Sequence, residues 1–258
     1  GTFLGWLYRR AVVIYHLHGL VGVEGGIPQN SLVSVMERLP FMLSDRVLSV
    51  SHSLKKFVVA NGYCTESKIS VIHRGSICGV DSECKFNRIT VAENKNDSNE
   101  IEFPDKKLIG FVGRVCADKG IDQFFKVVEK LNSEGEIDCI GVLIGPIEDV
   151  AIEEKVSICP EIIWYPYALD VEKYLISFDV LLFPSKREGF GLAAAEANAM
   201  GVPVVAFDIP GVADAVDSGV TGQLVSYGDF EALYNATKQY MEDEALARCH
   251  GMNGIARV

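Results

Sequence analysis

The sequence predicts an open, doubly wound α/β fold, in which helices cover both faces of a parallel sheet. Short apolar runs rich in Val, Ile and Leu alternate with helical segments along most of the chain. Such runs are typical of strands buried on both faces, and their alternation with helices is typical of βαβ units. With 258 residues and 48% hydrophobic content, the chain can bury a substantial core.

The alternation is most regular after residue 106. The predicted strands there are 108–112, 140–144, 162–164, 180–184 and 202–207. The predicted helices are 121–131, one from about 149, 171–177, 190–200 and closing helices from 229. This part therefore has enough strands for a complete doubly wound domain.

The first 85 residues show the same alternation over fewer elements. Strands are predicted at 11–15, 46–50 and 69–72, and helices at 32–43 and from 53. A complete domain of this kind has about six strands, and the chain starts within an apparent helix. We expect residues 1–85 to be the second half of an N-terminal domain whose first half is missing.

A linker is predicted between these two parts. Residues 92–100 are polar and rich in Asn, and Pro104 directly precedes the next strand. Such composition disfavours a packed core and marks boundaries. The predicted organisation is a partial domain over 1–85, a linker over 86–106 and a complete domain over 107–258.

Charge and hydropathy restrict the partners and the location. The net charge is −11, which argues against nucleic-acid binding. Residues 1–75 nevertheless carry eight Lys and Arg against four Asp and Glu, which suits an anionic surface or an anionic substrate. There is no apolar run of about 20 residues and no signal-peptide pattern. The expected location is the cytoplasm, either free or peripherally bound to the inner membrane through the N-terminal part.

The seven cysteines form no Cys-x-x-Cys pair, and their spacing is irregular. This pattern favours reduced thiols in the core over a disulfide framework or a zinc site. No metal site and no cofactor are predicted.

The stretch from 184 to 201 has the clearest chemical pattern. Glu188 and Glu196 lie eight residues apart around the helix predicted at 190–200, and glycines flank its start. Backbone N–H groups at a helix start attract anions, and glycine lets a ligand approach closely. Eight residues of helix rise about 12 Å, so the two carboxylates could bind hydroxyls at opposite ends of an extended ligand. The amides proposed to point at this ligand belong to Gly189, Phe190, Gly191 and Leu192. Alternatively, both glutamates are ordinary surface charges.

Cations follow the strand at 108–112. Gly113 and Arg114 come directly after it, and Lys119 follows before the next helix. Ligands of open α/β sheets bind at the carboxyl ends of the strands, where two cations could neutralise a diphosphate. Gly145 and Pro146 end the next strand and could support a nucleobase. Each of these loops could equally be a solvated turn.

Two histidines end the first predicted strand. His18 could serve catalysis or be a buried, hydrogen-bonded imidazole, and for His16 the second interpretation is favoured.

Taken together, these residues resemble a known family. The second part of the chain is similar to the C-terminal domain of the retaining glycosyltransferases of family 4, which have the GT-B fold. The similarity lies in the cations at 114 and 119, the 188–196 spacing, and the segments 201–205 and 219–225. The first part of the chain resembles sequences of the bacterial branch that makes lipid-linked oligosaccharide, capsule or O-antigen, at the segments 18–19, 43–51, 75–76 and 79–81. That branch includes N-acetylhexosaminyl transferases. The fold that this resemblance implies is a complete Rossmann-like C-terminal domain with a partial Rossmann-like N-terminal domain.

The resemblance also implies roles for individual residues. Glu188 would bind the donor hexose, with the amides of 189–192 beside it, and Glu196 would bind the ribose. Arg114, Lys119 and Gly113 would hold the departing diphosphate, and His18 would lie near the reacting sugar. The implied partners are a nucleoside-diphosphate sugar, with UDP preferred, and a lipid-linked or glycan acceptor.

The implied mechanism is front-face transfer with retention, in which the leaving phosphate accepts the acceptor's proton. Positive charge then comes from Arg114 and Lys119, so no metal is expected. Two departures from the family are the missing Gly-rich loop of the first half-domain and a chain end at Val258, short of the usual crossing helix. Activity of the chain alone is therefore left open.

Three alternatives remain at this stage. The first is a nicotinamide dehydrogenase, because a dinucleotide-binding fingerprint is imitated by Gly189, Gly191 and Ala194, with Asp208 after the next strand. Against it, the glycines begin five residues after Pro184 instead of in a tight turn. A glycosidase would need Glu188 and Glu196 within about 10 Å across one bond and would leave the cations without a role. The third alternative is a fragment that binds nucleotide sugar without activity.

Overall fold

The computed structural model describes residues 12–29, 32–93 and 106–258. These residues form two compact units. The first contains the chain up to Gly79 together with two later segments, Lys186–Gly191 and Asp208–Ala215, and the second contains the remainder. The start of the chain and residues 94–105 of the predicted linker lie outside the described residues. The domain boundaries predicted at 85 and 107 stay predictions.

The first unit contains a three-stranded parallel sheet in the order β1–β4–β5. Its strands are Ile14–Leu17 (β1), Arg46–Ser49 (β4) and Ile69–Val71 (β5). A two-stranded antiparallel hairpin, Val23–Glu24 (β2) with Ile27–Pro28 (β3), follows β1. Because the strands are parallel, their carboxyl ends lie on one edge of the sheet, and His18 directly follows β1 there.

Helices pack around this sheet. They are Leu32–Met36 (α1), Arg38–Leu43 (α2), His52–Ala60 (α3) and, from the second of the later segments, Val212–Ala215 (α9). Buried apolar side chains from the sheet, α2 and α3 form the core, among them Leu17, Val47, Phe41 and Val58.

The second unit contains a six-stranded, entirely parallel sheet in the order β11–β10–β9–β6–β7–β8. Its strands are Lys107–Val112 (β6), Cys139–Ile144 (β7), Ile162–Tyr165 (β8), Val180–Phe183 (β9), Val204–Phe207 (β10) and Gly222–Val225 (β11). All four residues of β9 and of β10 are buried, as expected for strands covered on both faces.

Helices of the second unit lie before β6, between successive strands from β6 to β10, and after β11. They are Arg88–Glu93 (α4), Ile121–Glu134 (α5), Val150–Ile158 (α6), Val171–Leu175 (α7), Leu192–Ala199 (α8), Phe230–Glu242 (α10) and Glu244–Arg257 (α11). Numbered from β6, the strand order is 3-2-1-4-5-6, which is the doubly wound order. The order reverses between β6 and β9, and this switch point is where such sheets bind ligands.

Several predicted elements are shifted or divided. The strand predicted at 11–15 is Ile14–Leu17, because β4 begins at Arg46 and Arg46 pairs with Ile14; Ala11 lies outside the described residues. The helix predicted at 32–43 is divided at Glu37 into α1 and α2. Pro40 explains the break, since it cannot donate to the carbonyl four residues earlier and its ring clashes with that carbonyl.

The helix predicted at 190–200 begins only at Leu192. Gly191 has φ +83°, a left-handed conformation that ends any continuous α-helix before this point. Glu188 therefore lies outside the helix that contains Glu196, so the helical rise of eight residues does not separate them, and the predicted separation of about 12 Å on that ground is wrong.

The predicted linker also contains a helix, α4, whose Val91 is buried.

All seven cysteines are free thiols, but most of them are not core residues. Only Cys116 and Cys139 are buried, and three others are exposed. The expectation of core thiols is therefore wrong for the majority. Burial raises the pKa of the Cys139 thiol to about 12.

Candidate active site

The predicted site residues fall into two groups, one in each unit. The first unit holds His18, Glu188, Gly189, Phe190 and Gly191. The second unit holds the predicted nucleotide-binding residues and the start of α8, namely Gly113, Arg114, Lys119, Gly145, Pro146, Leu192 and Glu196.

In the first unit, the segment that contains Glu188 lies against the end of β1. A Cβ atom added to Gly189 would overlap the carbonyl oxygen of His18 and would lie 3.1 Å from Cγ2 of Val50. Gly19 also lies close to this segment, with its Cβ position 3.7 Å from the nitrogen of Gly189. Glu188 and His18 are therefore brought close in the fold by their backbone neighbours.

Hydrogen bonds hold this segment in place. Ser51 Oγ donates to the carbonyl oxygen of Gly189 at 2.7 Å. The amide of Gly25 donates to the carbonyl of Lys186 at 2.8 Å, and Arg187 donates to the carbonyl of Val21 at 2.7 Å. The predicted Glu188 loop is thus anchored at three points along six residues.

The environments of His18 and Phe190 differ from one another. His18 is exposed, so the buried-imidazole interpretation is wrong, and its ring lies 4.2 Å from that of His16. His16 is exposed as well, which also corrects its favoured interpretation. Phe190 packs against the core of the first unit, so its side chain anchors the loop.

In the second unit, the loops after β6, β7 and β9 meet near the switch point. A Cβ on Gly120 would overlap the carbonyl oxygen of Pro184, and a Cβ on Gly145 would overlap that of Gly113. Val115 donates to the carbonyl of Pro146 at 2.8 Å. These close backbone contacts place the Arg114–Lys119 loop between the ends of β7 and β9.

Arg114 is exposed and already paired. Its guanidinium bonds both carboxylate oxygens of Glu148, at 2.9 and 3.0 Å, and these bonds raise its pKa. Lys119 is half-buried in the turn before α5. A diphosphate bound here would compete with Glu148 for Arg114.

Glu196 lies in the second turn of α8 in an environment that disfavours its charge. Burial, with a smaller contribution from the nearby Glu172 carboxylate, raises its pKa to about 7, while Lys85 opposes the shift. Lys85 lies 3.8 Å from Glu172 and bonds the carbonyl of Leu169 at 3.3 Å. Glu196 is therefore not the ordinary surface glutamate of the alternative interpretation, since it titrates near neutral pH.

The shifted start of α8 also changes the predicted amides. Only Leu192, of the four residues proposed to supply helix N–H groups, belongs to the helix. Gly189, Phe190 and Gly191 lie in the preceding loop, so their amides are loop amides.

Sequence reasoning missed several residues of these two groups. Ser51 caps α3 and also bonds Gly189, and its Ser-x-x-Leu pattern before an apolar helix was the available signal. No local sequence pattern predicted the roles of Glu148, Lys85 and Glu172, because these residues act on Arg114 or Glu196 through contacts that are distant in sequence. Ser185 lies two residues after the end of β9, and its buried hydroxyl has no hydrogen-bond partner within the described part of the chain.

Across 12–29, 32–93 and 106–258, no helix has both the length and the apolar character needed to cross a membrane. Nor do those ranges contain a group of three or more His, Cys, Asp or Glu side chains that could hold a metal ion.

Comparison with known proteins identifies the family. The family described as Glycosyl transferases group 1 matches residues 106–243, which is more than half of the chain. The chain belongs to this glycosyltransferase family, and the predicted family is confirmed.

Among curated relatives, the capsular polysaccharide biosynthesis glycosyltransferase CapM of Staphylococcus aureus is 29% identical, with 100% of this chain and 68% of CapM covered. The lipopolysaccharide core mannosyltransferase LpcC of Rhizobium leguminosarum bv. viciae is 32% identical over 60% of this chain and 47% of its own length. The chain thus spans about two thirds of CapM and about half of LpcC.

Solved structures confirm the GT-B fold. Sucrose-phosphate synthase from Thermosynechococcus elongatus superposes with a TM-score of 0.78 at 23% identity, covering 99% of this chain and 66% of the synthase. HepE from Anabaena, solved with UDP and glucose, gives a TM-score of 0.77 at 18% identity, covering 100% of this chain and 69% of HepE.

Proposed function

We propose that this chain provides the donor-binding part of a retaining glycosyltransferase that moves a hexose or N-acetylhexosamine from a nucleoside-diphosphate sugar. UDP is the preferred nucleotide, and the acceptor is a growing lipid-linked glycan of the bacterial surface. The observation that carries this proposal is the switch point of the second unit, where Arg114 and Lys119 lie on the loop after β6. HepE binds UDP and glucose in its solved complex, and CapM is a glycosyltransferase of capsule biosynthesis, which supports this donor and acceptor class.

The proposed roles follow from charge. As the bond between sugar and phosphate breaks, positive charge develops on the sugar and negative charge on the departing diphosphate. Arg114 and Lys119 stabilise that negative charge, and the stabilisation is stronger in the transition state than in the ground state. Each charge-assisted hydrogen bond contributes on the order of 1.5–3 kcal/mol.

Glu196 accepts hydrogen bonds from the ribose hydroxyls in its ionised form. Glu188 binds the donor sugar, and His18, whose backbone lies against Gly189, faces the reacting sugar. Gly113, whose Cβ position has no described atom within 4 Å, lets the nucleotide approach the backbone of its loop, and Gly145 and Pro146 form the neighbouring loop on the side of the nucleobase. The leaving phosphate takes the proton from the acceptor hydroxyl, so the protein supplies no nucleophile.

A location at the cytoplasmic membrane surface is part of the proposal. α1 and α2 expose large apolar side chains, including Leu32, Val35, Met36 and Met42, each more than half exposed. These apolar side chains belong to a part of the sequence, residues 1–75, in which Lys and Arg outnumber Asp and Glu, and this combination suits an anionic lipid surface.

The test is a transfer assay with a panel of UDP-sugars and GDP-sugars. We expect turnover with at least one UDP-sugar, and we expect Glu188→Ala to abolish it without lowering the melting temperature. Glu129→Ala, which removes an exposed glutamate of α5, is the matched control and should retain turnover. Full turnover by Glu188→Ala would remove the role proposed for Glu188, and turnover with GDP-sugars only would overturn the UDP preference.

A further inference from the structure

The start of α3 is held by a side chain from a distant part of the sequence. Asp214, in α9, accepts hydrogen bonds from the backbone amides of His52 and Ser53, one on each carboxylate oxygen and each at 2.8 Å. Ser51 Oγ accepts from the amide of Leu54 at 3.3 Å. The amide of Ser51 donates to Ser49 Oγ at 3.5 Å, so the four amides that a helix start leaves without an intrahelical partner are all satisfied by protein groups. This helix start therefore attaches to a loop instead of offering an anion site.

The same helix start also contacts the Glu188 loop. Ser53 Oγ accepts from the amide of Gly211 at 2.7 Å, and Ser51 Oγ donates to the carbonyl of Gly189 at 2.7 Å. Gly211, with φ +96°, packs so closely behind this loop that a Cβ there would lie 2.8 Å from the carbonyl oxygen of Glu188. The segments 186–191 and 208–215 are therefore fixed together on α3.

We propose that Asp214 is a positioning residue, which fixes the Glu188 loop against His18 through its bonds to the start of α3. The inference rests on the proposed function, because it takes Glu188 and His18 as the groups at the reacting sugar. Asp214 itself need not touch the substrate. The residues proposed to bind the nucleotide, among them Arg114, Lys119 and Glu196, belong to the second unit and take no part in these bonds.

The chemistry of the contact explains why aspartate is required. An ionised carboxylate offers two acceptor oxygens, and here each receives one amide N–H. Asparagine keeps the shape but turns one acceptor into an NH₂ donor, which would face the donor N–H of His52 or Ser53. Glutamate keeps both acceptors on a side chain that is one methylene longer. The two substitutions therefore separate hydrogen bonding from size.

The expected result is a loss of turnover without a loss of nucleotide binding. In the active protein, Asp214→Asn should lower kcat by about 10- to 100-fold, since misplacing a reacting group by about 1 Å has effects of this size. The dissociation constant for UDP should stay within about twofold of the wild-type value, and Asp214→Glu should restore most of the turnover.

The matched control is Asp229→Asn. Asp229 caps α10 in the second unit by accepting from the amide of Ala232 at 2.9 Å, so this variant loses a comparable cap away from the Glu188 loop. It should keep wild-type turnover. Should Asp214→Asn fail to fold, Asp214→Ser tests the same attachment, since serine offers one acceptor oxygen in place of the two of the carboxylate. Wild-type kcat in Asp214→Asn, or in Asp214→Ser if that variant must replace it, would overturn the proposal, and so would an equal loss in UDP affinity.

Hydrogen exchange separates this inference from the proposed function. Backbone amides over 186–191 should exchange faster in Asp214→Asn than in the wild type, whereas those over 192–207 should not change. If the wild-type protein neither turns over nor binds UDP, the proposed function fails, and the exchange of 186–191 still decides whether Asp214 holds the loop. Unchanged exchange in that segment would contradict the positioning role.

Discussion

Gly189 lies directly against the main-chain carbonyl of His18, with no space for a side chain between them. This contact joins two residues that are about 170 positions apart in sequence but belong to one compact unit. It also explains why glycine follows Glu188, since any larger residue would push the loop away from the end of β1.

Gly189→Ala should therefore damage both stability and turnover. The added methyl group overlaps the His18 carbonyl, and overpacking of this kind costs about 1–3 kcal/mol. We expect a lower melting temperature and a kcat reduced by about 100-fold, because the loop and His18 must move apart. Gly135→Ala is the control: it strains a left-handed residue at φ +72°, but no atom lies within 4 Å of its Cβ position, so it should lose some stability and keep turnover. Wild-type turnover in Gly189→Ala would contradict the close approach.

Nucleotide affinity should depend on the ion pair between Arg114 and Glu148, because a bound diphosphate competes with Glu148 for Arg114. Removing Arg114 should weaken UDP binding by about 10- to 100-fold, the equivalent of one charge-assisted hydrogen bond to the diphosphate. Glu148→Gln removes the competing charge and should leave UDP binding equal or tighter. The free energy of unfolding of both variants should stay within about 1 kcal/mol of the wild-type value, because the ion pair is exposed. Calorimetric titration with UDP measures these affinities, and weaker binding in Glu148→Gln would show that Glu148 supports the site.

Donor affinity should depend on pH through Glu196. Its pKa of about 7 means that the carboxylate needed by the ribose is mostly protonated at pH 6 and mostly ionised at pH 8. We expect the KM for a UDP-sugar to fall by about tenfold over that range. Glu196→Gln should bind more weakly and lose the pH dependence. Lys85→Met should move the midpoint to higher pH, since Lys85 lowers the pKa of Glu196.

Stability should change with pH in the opposite direction. The pKa of Glu196 is raised on folding from 4.5 to about 7, so the folded state holds this proton more tightly than the unfolded state. Its contribution to stability is fully present below about pH 4.5 and is lost as pH rises through about 7. The free energy of unfolding, measured by denaturant titration at a series of pH values, should therefore change with pH differently in the wild type and in Glu196→Gln between pH 4.5 and 7. Parallel curves would contradict the raised pKa.

Turnover should survive removal of divalent cations. Arg114 and Lys119 provide the positive charge proposed for the diphosphate, so EDTA should leave kcat unchanged. Complete loss of turnover that added Mg²⁺ or Mn²⁺ reverses would contradict this mechanism, because a metal would then carry the charge assigned to the two side chains.

The sequence predicted those parts of the fold that depend on local patterns. The strands β6 to β10 of the second unit were found within two residues at each end, because a buried parallel strand is a short apolar run bounded by turns. The Gly-rich start of α8 was found as a pattern, but its first residue was not, since the left-handed Gly191 cannot be read from composition. β2, β3 and α9 were missed because they are short, and β11 was missed because its residues, Gly-Gln-Leu-Val, are not a continuous apolar run.

The positions of the proposed site residues after strands were predicted from the sequence, whereas their contacts were not. Arg114, Lys119 and Glu188 follow strands, and the order of strands in an α/β sheet limits where such residues can lie. The pairing of Arg114 with Glu148, the cluster around Glu196 and the bonds of Asp214 to α3 depend on contacts between residues 24 to 162 positions apart, which no local pattern records.

Nucleotide selectivity tests the central claim most directly. Melting curves of the protein with saturating UDP, and separately with NAD, distinguish a transferase switch point from a dinucleotide-binding one. UDP at about 100 times its dissociation constant should stabilise the folded state by about 2.7 kcal/mol and raise the melting temperature by several degrees. NAD should have no effect, and Arg114→Ala should reduce the shift with UDP. A shift with NAD and none with UDP would contradict the account.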